Sequence, residues 1–342
     1  MFDKLKRISI ISAAATLALG GLAADCAAQA AAAPVALKAT PATPTAAAVK
    51  AGMLGAAIAG GRIVAVGDYG TIILSDDQGK TFHQAKSVPV SSTLTSVSFV
   101  NAREGWAAGH WGAILNTTDG GETWQTQRLD TAEDRPLFAV HFFDPQQGIA
   151  VGLWSLVLTT NDGGAHWNPV TIPAPPEGGR ADRNLFGVFA SPKGSLFVAA
   201  ERGTVLRTDD RGQTWRYINT GYKGSFWTGL ALDNGVLLVA GLRGTIYRST
   251  DDGQTWAPVD SGTKSSITDL VEQDGKVLGV ALDGVQIESR DQGATFSASQ
   301  RDDRLSMTAL AAAGTSVVRF SKSGVVRDQN AGAGNAQPPS KP

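Results

Sequence analysis

Six aspartates, Asp77, Asp119, Asp162, Asp210, Asp251 and Asp291, recur along the chain at intervals of 42, 43, 48, 41 and 40 residues. Carboxylates repeated so regularly have the chemistry of proton transfer or of metal ligation. Their surroundings point elsewhere. Each is the third residue of the phrase Ser/Thr, any, Asp, any, Gly, any, Thr, aromatic, first met as Ser75 to Phe82 and last as Ser289 to Phe296; the third copy carries His166 in place of Thr. A short carboxylate accepts hydrogen bonds from nearby backbone N–H groups, glycine takes the positive φ of a tight turn, and the aromatic ring packs, here expected under the next sheet. The six aspartates are therefore assigned to turns.

A period of about 40 residues is what one four-stranded propeller blade consumes. Upstream of each turn come two short apolar runs, such as Ile63 to Gly67 with Gly70 to Leu74, or Val236 to Gly241 with Gly244 to Tyr247, which read as hairpins. Another strand precedes each hairpin, as at Leu94 to Phe99 and Leu185 to Phe189. The fold expected is all-β, a seven-bladed β-propeller of four-stranded antiparallel blades over 52–328. The phrase matches the Asp-box turn of sialidases and related propellers. That resemblance implies a place between the third and fourth strands, remote from any active site.

After the sixth box, Met307 to Ala312, Ser316 to Phe320 and Gly324 to Arg327 supply three strands of a seventh blade and no fourth. An N-terminal strand, Pro34 to Lys38, is the candidate to close it and hide its edge. Residues 31–51 then comprise that strand and a linker, and 329–342 a disordered tail.

Side chains able to bind a ligand are left at the hairpin tips, on the face opposite the boxes. They are Tyr69, Trp111, Trp154, Arg202 and Arg243, with Arg135 and Arg183 in the connections between blades. Tight turns favour Gly, Asn or Asp, so tips displaying Trp or Arg offer the residue types of binding hot spots. The structural alternative is tryptophans that cap blade packing and arginines that are merely solvated. An insert from Pro173 to Arg183 occupies the longest interval and reads as a recognition loop or a spacer.

The stretch Gly105 to Leu115 and the phrase Thr117 to Trp124 resemble the photosystem II stability and assembly factor family of Asp-box propellers, over blades one to six. The resemblance implies a non-catalytic propeller that binds membrane-protein clients, with Arg135, Arg183, Arg202 and Arg243 as candidates for the Arg-rich patch of those relatives. Related chains in non-photosynthetic bacteria sit beside genes for export-pump proteins, which implies an envelope accessory role. A sialidase-like or other Asp-box glycoside hydrolase is the alternative, with Tyr69, Asp68, Glu201, Asp283 and four arginines as its possible groups; the Arg-Ile-Pro phrase of sialidases is absent and Arg62-Ile63-Val64 is its nearest echo.

Other chemistries are excluded by composition and spacing. Formal net charge is −1 over 342 residues, with no basic block beyond the N-terminus, which argues against nucleic acid as partner. The one cysteine, Cys26, lies in an N-terminal segment with the form of a secretory signal: Lys4, Lys6 and Arg7, an apolar run from Ile8 to Leu22, and Ala28-Gln29-Ala30 as cleavage site. Cleavage after residue 30 leaves no thiol and predicts export, to the periplasm or as a secreted protein. A lipid anchor on Cys26 would put acidic Asp25 where lipoprotein signals carry a small residue. No two of His83, His110, His141 and His166 share metal-ligand spacing, and Gly79-Lys80-Thr81 lacks the first glycine of a phosphate loop. No cofactor, metal or membrane span is expected, and a monomer with a membrane-associated protein client is.

Overall fold

A computed structural model describes residues 39–327. Six four-stranded antiparallel sheets span 53–84, 94–128, 137–169, 185–219, 226–259 and 267–300, and a three-stranded sheet spans 307–326. Within each sheet the strands follow chain order from inner to outer edge. Each inner strand packs on the inner strands of its neighbours, and Met307–Ala313 packs on Met53–Ala59, so seven blades close a β-propeller. Apart from single turns at the tips and before the first strand there is no helix among the described residues.

The second strand of each blade carries the core. Gly105–Gly109, Gly148–Gly152, Leu196–Ala200 and Leu237–Gly241 are buried at every position, because both faces of a blade are covered by adjacent blades. Outer strands are short and polar, as at His83–Gln84 and Ser297–Gln300.

The box aspartates perform the turn chemistry expected. Asp77 accepts the Thr81 N–H at 2.9 Å and the Thr81 hydroxyl at 2.6 Å, while the Ser75 hydroxyl accepts the Gly79 N–H at 2.8 Å. In the third box the His166 ring replaces the threonine hydroxyl, with Nδ1 2.7 Å from Asp162. Hydrogen bonds from the Thr81 and Thr295 hydroxyls and N–H groups hold Asp77 and Asp291 down to about 2.

The box aromatics pack on the preceding blade, not on the next one as the phrase alone suggests. Phe82 meets Phe320 of blade 7 at 6.0 Å between ring centroids, and Trp256 meets Phe197 of blade 4 at 6.4 Å. The glycines point the same way: a Cβ on Gly121 would stand 2.9 Å from Leu74 of blade 1. Hence each box turns its glycine and ring toward the blade already traversed.

Hydroxyls on the inner strands tie blades together. Ser96 accepts the Val140 N–H and Ser98 the Phe142 N–H, Thr95 donates to Leu137 O, Thr268 to Met307 O, and Thr308 to Met53 O across the ring closure. Arg327 of blade 7 also donates to Gly79 O in the first box.

The strand expected at Pro34 to Lys38, the signal segment and the tail lie outside the described residues. Among those described, blade 7 has three strands. The segment read as a linker is held on blade 1: Ala42 donates to Val88 O at 3.0 Å and Thr45 to the Gln84 side chain at 2.8 Å.

Candidate functional site

The hairpin tips form one rim of the propeller, at the end opposite the boxes. Each tip is a three-residue turn whose middle residue is left-handed: Tyr69 (φ 57°), Trp111 (60°), Trp154 (52°), Arg202 (57°), Arg243 (60°) and Asp283 (55°). That conformation is uncommon for bulky side chains and costs about 1 kcal/mol or more each. A glycine follows in five of these tips, and at Gly70, Gly203, Gly244 and Gly284 the next connection passes close by; a Cβ on Gly70 would stand 2.0 Å from Val90 O. The middle side chain is thereby thrust outward.

Oxygens from the following connection hold the tips in place. Trp111 N–H donates to Asp134 at 2.7 Å, Trp154 N–H to Asn184 Oδ1 at 3.1 Å, Arg243 N–H to Ser266 at 3.1 Å and Asp283 N–H to Ser306 at 3.1 Å. Asn184 also donates from Nδ2 to Glu201 at 2.9 Å, joining the tips of blades 3 and 4.

Tyr69 is 78% exposed and Trp154 55%, the two large apolar side chains that stand out in solvent among the described residues. Arg202 is exposed, with Asp182 at 3.8 Å, and Arg243 is exposed with no carboxylate within 4 Å among the described residues. These four of the sequence candidates share the rim. Trp111 is half-buried in a groove with Ala39, Thr40, Leu129 and Thr131, and Arg135 is half-buried with its Nε unpartnered by protein.

Arg183 does not belong to the exposed patch. It is 4% exposed, donates to the Thr204 hydroxyl at 2.6 Å and to Glu177, and lies over the Tyr217 ring at 5.1 Å. Tyr217 in turn donates to Pro173 O at 3.0 Å. The insert 173–183 folds back on blade 4, and Arg183 is the residue that pins it.

A second set of residues escapes the turn and tip patterns of the sequence. In every blade the inner strand is bulged at its second residue, one step from the tip end: pairing jumps from Leu94 to Ser96, Leu185 to Gly187 and Phe226 to Thr228. The bulged residues Leu54, Thr95, Phe138, Phe186, Trp227, Thr268 and Thr308 line the axial channel at this end. Phe138 and Phe186 stack with centroids 5.5 Å apart. Paired apolar residues in Leu137-Phe138, Leu185-Phe186 and Phe226-Trp227 break strand alternation and are the signal that could have found them.

Deeper in the channel, burial pushes the His141 imidazole down to about 4 and the Asp269 carboxyl up to about 6, although Asp269 accepts the N–H groups of Leu270 and Leu310. The other three histidines stand beside carboxylates, His83 at Glu122, His110 at Asp134 and His166 at Asp162. No group of three His, Cys, Asp or Glu side chains among the described residues is placed to hold a metal ion, and no helix there is long and apolar enough to cross a membrane. The groups considered for glycoside hydrolysis lie on blades 1, 4 and 6. Glu201 is engaged by Asn184, and Asp68 takes a long hydrogen bond from Thr93.

Residues 84–172 and 131–301 match the family described as photosynthesis system II assembly factor YCF48. A solved structure described as YCF48 bound to D1 peptide is similar at TM-score 0.66 and 18% identity, over 84% of this chain and 94% of that one. YCF48 from Cyanidioschyzon merolae is similar at 0.64 and 17%, over 81% and 94%. No curated protein matches the chain.

Proposed function

The chain belongs to the photosynthesis system II assembly factor YCF48 family, and from that membership we propose that it is a non-catalytic binding propeller that docks a protein client on its hairpin rim. The observation that carries this reading is the row of strained, outward apices. Tyr69, Trp154, Arg202 and Arg243 occupy left-handed positions that glycine or asparagine would fill at less cost, and each is exposed. The backbone N–H groups of Trp154 and Arg243 donate to side-chain oxygens of the next connection, so the backbone of these apices needs no further ordering on binding. A member of the same family has been solved with a peptide bound, which supports a protein client.

The signal-like N-terminus supports export, and we place the working protein in the periplasm as a monomer serving a membrane-associated client such as an export pump. A photocrosslinking amino acid placed at Trp154 or Tyr69 should capture the client from the cell envelope. The same group at Gln292, in the box of blade 6, should not. Equal capture from both ends would refute the rim as the docking face.

A further inference from the structure

Three large aromatic side chains stand outside every packing layer of the propeller. The apolar layers between blades contain the first residues of the inner strands, Leu137, Leu185 and Phe226, all fully buried. Phe138, Phe186 and Trp227, the next residues, join none of those layers; the bulge turns them into the channel instead. They are half-buried and sit on three successive blades. Bulges that re-aim side chains are common beside functional sites.

The opposite half of the same ring differs in kind. Thr95, Thr268 and Thr308 spend their hydroxyls on backbone carbonyls of the next blade, so they fasten the ring. Phe138, Phe186 and Trp227 fasten nothing by hydrogen bonds. Around them on the rim, blades 3 to 5 carry the exposed Trp154, Arg202 and Arg243, with Lys223 and Lys264 exposed in the connections that follow blades 4 and 5. Among the described residues Lys223, Arg243 and Lys264 have no carboxylate within 4 Å, and Arg202 has only Asp182 at 3.8 Å, a surface contact of little strength.

We infer that the bulged aromatics Phe138, Phe186 and Trp227 form a socket at the channel mouth for an apolar side chain of an extended acidic peptide segment, whose carboxylates lie on Arg202 and Arg243. This rests on the rim being the docking face. The socket supplies selectivity for one apolar residue, and the cations supply its orientation and the sign of the flanking charge. A lipid surface is the competing occupant of an aromatic and cationic rim, but these rings line a channel and do not project, so they cannot reach a flat bilayer.

The test is selection of a random displayed octapeptide library on the mature protein, on the Phe138→Ala/Phe186→Ala variant and on the Arg202→Glu/Arg243→Glu variant. Circular dichroism and thermal melting verify that each is folded. The wild type should enrich peptides with an aromatic or large aliphatic residue flanked by Asp or Glu. Replacing that residue by Ser in a selected peptide should weaken binding at least tenfold. The aromatic variant should keep the acidic preference and lose the apolar one; the charge variant should do the reverse. If the double alanine variant does not fold, Trp227→Leu should narrow the apolar preference. Absence of any enriched pattern on the wild type, an apolar preference that survives loss of both phenylalanines, or a stronger response to phosphatidylglycerol vesicles than to peptides overturns the socket. Envelope crosslinking at Trp154 then still decides separately whether the rim docks a client.

Discussion

The side-chain amide of Asn184 accepts the Trp154 backbone N–H at 3.1 Å, and its Nδ2 group donates to Glu201 at 2.9 Å. One residue of a connection thus fixes the apices of two neighbouring blades, an aromatic one and a cationic one. Preorganisation of this kind lowers the ordering cost of binding without touching the ligand.

Asn184→Ala should accelerate amide exchange at Trp154 while leaving the strands of blades 3 and 4 protected. Client affinity should fall several-fold, and stability by about 1 kcal/mol, the value of a typical hydrogen bond. Unchanged exchange at Trp154 would show that the tip is held by other contacts.

Arg183→Ala should destabilise the protein by about 2 kcal/mol, since it removes buried packing on Tyr217 and the Thr204 bond. Limited proteolysis should then cut within 173–183 faster than in the wild type. A folded variant with an intact insert and lost client binding would return Arg183 to the docking patch.

Asp269 makes stability depend on pH in the direction opposite to most carboxylates. Its folded-state value of about 6 lies above the ordinary 3.8, so its contribution is fully present below about 3.8 and is lost as pH rises through 6. A raise of about two units corresponds to at most about 3 kcal/mol. Chemical denaturation at pH 4, 5, 6 and 7 should show this decline in the wild type and not in Asp269→Asn. Parallel curves for the two proteins would contradict the burial of a protonatable carboxyl.

The boxes act with the usual sign. Asp77 and Asp291 are held near 2, below the ordinary value, so their contribution is present above about 3.8 and is lost as pH falls through 2. Acid unfolding between pH 4 and 2 should lose part of its steepness in the Asp77→Asn/Asp291→Asn protein. An unaltered acid transition would mean that these turns do not respond to protonation.

The blades and the box aspartates were legible in the sequence because turn chemistry is local: Asp, Gly and an aromatic at fixed spacing meet within eight residues. Tyr69, Trp154, Arg202 and Arg243 were legible for the same reason, as large side chains at tips. Arg183 was not. Its place is decided by how the insert folds back on Tyr217, across some thirty residues of chain, and a connection residue carries no mark of such a fold. Phe138 and Phe186 were hidden by the bulge, which turns the second residue of the strand against the alternation on which inward and outward assignments rest. The direction in which box aromatics pack was also invisible, since a repeat has the same spacing to the blade before and the blade after.

Docking on the rim depends most on Arg202 and Arg243 being exposed there. Their joint reversal, Arg202→Glu/Arg243→Glu, leaves every inter-blade hydrogen bond in place and should leave the melting temperature within a few degrees of wild type. Pull-down from a membrane extract with this folded variant is the direct measurement. Loss of the client captured by the wild-type protein is the result predicted; undiminished capture would contradict the hairpin rim as the docking surface.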